Sequence, residues 1–160
     1  MARPEIKTYQ NLEAAFAGES MAHAKYRYFA KLARAAGDEV TAKAFEETAD
    51  QEIMHAFGHL DLLYPAAEMT PAKALQIAIE GETYEYSEMY PGFKKTAIEE
   101  GNAAAVAEID EQIEESKVHA AQFAAVLEKA AKRFNALAKV EERHANHYQQ
   151  VLNKITAYVI

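Results

Sequence analysis

Residues 42–56 read "AKAFEETADQEIMHA" and residues 131–145 read "AKRFNALAKVEERHA". Phe, Ala, Glu, His and Ala hold the same relative places in both, and each segment carries Glu-x-x-His: Glu52 with His55, and Glu141 with His144. Residues three apart on a helix point to one side, so each pair presents a carboxylate and an imidazole to a common point. A second echo precedes each of these segments. "AFAGESMAHAKY" (15–26) is matched by "AIEGETYEYSEMY" (78–90), sharing Gly-Glu-Ser/Thr. The order along the chain is therefore Glu helix, ExxH helix, Glu helix, ExxH helix.

The punctuation around these segments is helical. Thr8 to Ala36 is rich in Ala, Leu, Lys and Glu and stops at Gly37. A second helix is predicted over about 39–63, ending before Pro65. "YPAAEMTPAK" is a loop, with Thr70 as N-cap and Pro71 at the first helical position of a third helix that runs to about Glu100. Pro91 in "YPGF" should kink or briefly break that helix, because proline has no amide donor. From Asn102 to Ile160 there is neither glycine nor proline. This tail could form one helix of roughly 85 Å at 1.5 Å per residue. It could also form two helices joined near Ala130. Period-2 alternation is absent, so the fold class is all-α, a helical bundle.

Composition narrows the function. The chain has 160 residues, half of them apolar, enough for one domain over 1–160 with a real core. With 17 basic and 25 acidic residues the net charge is −8, which argues against a sequence-independent nucleic-acid binder. There is no cysteine, so disulfide, iron–sulfur, zinc-thiolate and cysteine-nucleophile chemistry are excluded within these residues. "MARPEIKTYQ" lacks a signal-peptide core and no apolar run approaches a membrane span, so a cytoplasmic protein with no membrane or nucleic-acid partner is expected.

One Glu from each of two helices plus ExxH from each of two others is the ligand set of di-iron and di-manganese carboxylate bundles. The metal ligands read this way are Glu19, Glu52, His55, Glu82, Glu141 and His144, with Glu85 a seventh, three residues after Glu82. Carboxylate and imidazole without thiolate suit iron or manganese. Each copy of ExxH alone is more often chance than ligand; two copies in matching contexts reverse that. His59 and His147 read as polar-edge residues. His23 could bond Glu19 at i+4 or lie on the surface. Tyr26, Tyr28, Tyr84, Tyr86 and Tyr90 read mostly as packing, with hydrogen bonding to a ligand or electron transfer open to any of them near a metal.

"FAGESMAHAKYRYFAKLA", "FEETADQEIMHA", "GETYEYSEMYPGFKKTAIEEG" and "LAKVEERHANHY" resemble the rubrerythrin family of the ferritin-like superfamily, over about Thr8 to Leu152. The resemblance implies a ferritin-like four-helix bundle, a non-haem centre of two Fe ions, and reduction of hydrogen peroxide to water. It implies Glu19, Glu52, His55, Glu82, Glu85 and an ExxH pair as ligands, and exchange of His55 for Glu85 at one iron as the redox state changes. The family's rubredoxin cysteines are not among these residues, so an external donor such as a rubredoxin-like protein is expected. Counted without gaps from "EEG" (99–101), the family's last pair would fall on Ser116 and His119, with Ser where Glu is expected. "EESKVHAAQF" (114–123) echoes "GESMAHAKY", which makes Glu115 and His119 rival ligands. Fuller motif context favours Glu141 and His144. If the tail is one helix, that pair is carried far from its own first three helices, so the expectation is a homodimer in which residues from about 128 onward complete the partner's bundle. The alternative functions are a ferroxidase that reacts with dioxygen and stores iron, and a helical interaction module without metal.

Overall fold

Two Gly-centred turns set the helix order. In a computed structural model, which describes residues 6–157, α1 (Lys7–Ala35) ends at Gly37 and α2 (Glu39–Leu63) follows. Gly37 takes φ 81°, a left-handed conformation that only glycine adopts without strain. Its amide donates to the carbonyl of Arg34 at 3.0 Å and the Asp38 amide to that of Ala33 at 3.0 Å, the paired bonds of a Schellman stop. Asp38 then caps α2 by accepting from the Thr41 amide at 3.0 Å. The same device recurs at Gly101 (φ 70°), where Gly101 bonds Ile98 and Asn102 bonds Ala97. There Asn102 accepts from the Ala105 amide at 3.1 Å and starts the last helix.

α3 (Pro71–Tyr84) passes through a π turn (Glu85–Met89) into α4 (Tyr90–Glu99). The disturbance expected at Pro91 is thus a widened turn just before it rather than a break. The Tyr90 amide reaches back five residues to the Glu85 carbonyl, and the Ser87 hydroxyl donates to the Thr83 carbonyl at 2.6 Å. Glu82 and Glu85 flank the start of this turn, and such turns cluster at functional positions. The tail is one uninterrupted helix, α5 (Ala103–Ala157), of 55 residues and so about 80 Å long. Among the described residues there is no strand, and no helix is long and apolar enough to cross a membrane. Part of the leader reading rests on residues 1–5; these and residues 158–160 lie outside the described part.

The chain divides into two units, one ending at Thr70 and one beginning at Pro71. In the first, α1 packs along α2. Ala42, Ala49, Ala56 and Leu63 are buried at seven-residue spacing, and Ala30 faces them from α1. Small residues at the contact let two helices approach closely. Phe45 packs on Tyr26 and Phe29, with ring centroids 5.8 and 5.5 Å apart. At the turn, Arg34 in the last turn of α1 holds Glu39 at 3.0 Å and Glu46 at 2.8 Å. In the second unit α5 packs against α3 and α4, and Lys94 of α4 pairs with Asp110 of α5 at 2.5 Å.

Candidate metal centre

The seam between α1 and α2 is lined largely by alanine, and Glu19 and Glu52 enter it part-buried. Glu52 lies between the buried Ala49 and Ala56, so helix periodicity turns it toward α1. Glu19 and Glu52 are both half-buried, and one ligand atom from each of Glu19, Glu52 and His55 falls within 4.8 Å of the others. His55 Nδ1 lies 3.2 Å from Glu52 Oε2. The two carboxyl groups share a hydrogen bond. That bond raises Glu19 above its ordinary 4.5, with burial and the Glu52 charge adding to it. The same bond lowers Glu52. Two carboxyls this close disfavour each other's ionisation, and a cation between them would relieve that. His23 does not bond Glu19; its Nδ1 donates to the Ala49 carbonyl at 2.8 Å and ties the two helices together.

A second acidic group forms where α3 and the π turn face α5. Ser116, buried at 4 % exposure, donates its hydroxyl to Glu85 Oε2 at 3.0 Å. His119 Nδ1 stands 3.5 Å from Glu82 Oε2, an ion-pair distance. Glu82 Oε2 is nevertheless buried with no hydrogen bond. An acceptor left this way costs free energy unless a proton or a cation meets it. The half-buried Tyr90 is pushed above its ordinary 10, first by burial and then by the charges of Glu85, Glu82, Glu108 and Glu115. Its phenol therefore stays protonated beside the carboxylates at neutral pH.

Glu141 and His144 sit elsewhere. His144 Nδ1 is 3.6 Å from Glu141 Oε2, and their side chains are 58 % and 75 % exposed. The structure brings Glu19, Glu52 and His55 into one group in the first unit, and Glu82, Glu85, Ser116 and His119 into another in the second; within the second unit the Glu141–His144 pair stands apart from the latter. Glu115 is exposed on α5. The role of Ser116 as a donor to Glu85 carries no signal in the sequence, although counting from "EEG" shows that Ser116 stands where the family's Glu is expected. Tyr90's position among the carboxylates had no signal separating it from the neighbouring tyrosines.

Comparison with known proteins agrees with this chemistry. The rubrerythrin family model matches residues 10–127. Nigerythrin of Nitratidesulfovibrio vulgaris is 40 % identical over 134 residues, covering 74 % of this chain and 64 % of that protein. Rubrerythrin of Porphyromonas gingivalis is 35 % identical over 157 residues, covering 91 % of this chain and 66 % of that one. The chain thus spans less than two thirds of the length of these relatives. A solved structure of fully reduced, all-ferrous nigerythrin is similar with 35 % identity and a TM-score of 0.40, covering 81 % of this chain and 70 % of that one.

Proposed function

The chain belongs to the rubrerythrin family, a ferritin-like, all-α family, and from that premise we propose that it reduces hydrogen peroxide to water at a non-haem di-iron centre. Electrons come from a donor of the rubredoxin type. The ligands assigned are Glu19, Glu52 and His55 from one half-site and Glu82, Glu85 and His119 from the other. His119 is preferred to His144 because it stands 3.5 Å from Glu82, whereas the carboxylate beside His144 is Glu141 of its own helix. The observation that carries the reading is the Glu19–Glu52–His55 group, whose ligand atoms lie within 4.8 Å of one another.

The residues fit two divalent cations. The crowding of the Glu19 and Glu52 carboxyls and the orphaned Glu82 oxygen are both conditions that a cation relieves. Oxygen and nitrogen donors without thiolate suit Fe(II), and Mn(II) would be accepted by the same set. When bound, the iron pair supplies the two electrons that convert hydrogen peroxide and two protons into two waters. The protein's part is to hold and move protons and ligands. Ser116 fixes one oxygen of Glu85, leaving the other to turn. His55 is mostly exposed and bonded to Glu52 on its own helix, which leaves its ring room to swing. These two residues are the pair assigned to exchange. Tyr90 keeps a proton within the acidic group.

The test is to load the protein with Fe(II) and add peroxide or dioxygen in parallel. Much faster oxidation by peroxide, with water as product, is expected. Faster oxidation by dioxygen with many irons accumulated per chain would overturn the reading in favour of ferroxidase and storage chemistry.

A further inference from the structure

Alanine lets α1 and α2 approach closely but does little to fix their relative height. Ala42, Ala49 and Ala56 of α2 and Ala30 of α1 are buried in the seam, and a methyl group interlocks two helices only shallowly. The height is set by polar ties across the seam. Arg34 holds Glu39 and Glu46 near the Gly37 turn, and Arg27 pairs with Asp50 farther along. These join long, largely exposed side chains, and such ion pairs yield at small cost. His23 is different. It is half-buried, and its Nδ1 donates at 2.8 Å to the main-chain carbonyl of the fully buried Ala49. That acceptor moves only when α2 itself moves. The short side chain of Ala49 leaves the carbonyl open to a ring arriving from α1.

The two helices run antiparallel about the turn at Gly37. Glu19 stands one helical turn beyond His23, and Glu52 one turn beyond Ala49, both on the side away from Gly37. The His23 bond thus closes the hairpin next to the Glu19–Glu52–His55 group. A carbonyl oxygen only accepts, so Nδ1 carries the hydrogen; the neutral ring suffices and no charge is needed. The Glu19 and Glu52 carboxyls disfavour each other's ionisation, which favours any movement that parts the helices there. We propose that His23 is a positioning residue: its bond to the Ala49 carbonyl fixes α1 against α2 and so holds Glu19 and Glu52 at the spacing that takes a divalent cation. This rests on the ligand reading of Glu19 and Glu52 given above. His23 touches no cation; it acts through the two helices that carry the ligands. A pair held in place binds more tightly than one that must first be drawn together.

The full chain tests this by anaerobic titration with Co(II), followed by visible absorption, beside urea unfolding of the metal-free protein. His23→Leu keeps the bulk but has no donor, and should weaken Co(II) binding about tenfold. His23→Asn puts an amide nitrogen near the place of Nδ1 and should recover most of that loss. Arg34→Ala breaks the ion pairs at the turn of the same hairpin. It should lower the urea midpoint and leave Co(II) affinity unchanged. Parent affinity in His23→Leu, no recovery in His23→Asn, or equal weakening in Arg34→Ala would overturn the role of His23. If His23→Leu loses helicity by circular dichroism, His23→Gln takes its place. Its amide stands one bond farther out, and it should bind Co(II) more weakly than His23→Asn; equal binding would overturn the proposal. Glu52→Ala, titrated in parallel, should lose Co(II) binding at this group. Binding retained there would overturn the ligand reading itself.

Discussion

Glu19 and Glu52 stand together in the first acidic group. Their closeness raises Glu19, and a cation bound between them would favour the ionised form of both. Glu52→Ala should lower the iron bound per chain after anaerobic loading with Fe(II), read by metal analysis. An unchanged iron content would remove Glu52 from the ligand set. Ser116 makes a different kind of statement. Its hydroxyl is buried against Glu85, and Ser116→Ala leaves that oxygen without its donor. A loss of about 1–2 kcal/mol in denaturant unfolding of the metal-free protein is expected. No loss would mean that water replaces the hydroxyl. That Ser116 stands where the family's Glu is expected was legible in the sequence. Its hydrogen bond was not, because its partner Glu85 lies in the π turn, whose place is set by packing.

At the scale of elements, the helix limits were legible because their causes are local. Gly37 and Gly101 are needed for left-handed turns, and Asp38 and Asn102 are the caps that follow them. Asp38→Ala should cost about 1 kcal/mol of stability in thermal or urea unfolding, since the Thr41 amide loses its acceptor. Asp38→Asn, which keeps an acceptor, should cost much less. The choice between one and two helices after Gly101 was also nearly local: nothing near Ala130 supplies a turn, and α5 runs straight through. The π turn was less visible. Pro91 announced a disturbance, but whether it appears as a kink, a break or a widened turn is settled by the packing of the residues on either side of it.

At the scale of the molecule, charge sets the response to acid. Arg34 holds Glu39 and Glu46 below their ordinary 4.5, and the Thr41 bonds hold Asp38 below 3.8. Groups lowered in the fold stabilise it above those values and lose that effect as pH falls through their lowered ones. Glu19 is raised and acts oppositely: its contribution is present in acid and lost as pH rises through its raised value. Unfolding midpoints of the metal-free chain should therefore fall below about pH 4.5. Arg34→Ala should flatten that fall. Bound metal should raise the midpoint chiefly at neutral pH, where Glu19 and Glu52 otherwise repel. A metal effect as large at pH 4 as at pH 7 would contradict the assignment.

The all-α class and the helix order followed from residues alone, because periodicity and caps act over a few neighbouring positions. Tertiary packing decided which imidazole stands beside Glu82. His119 and His144 lie in comparable local patterns on one continuous helix, and only the cover that α3 and α4 lay over its proximal half tells them apart. Local sequence states that a face is apolar; what lies against that face is a property of the folded chain.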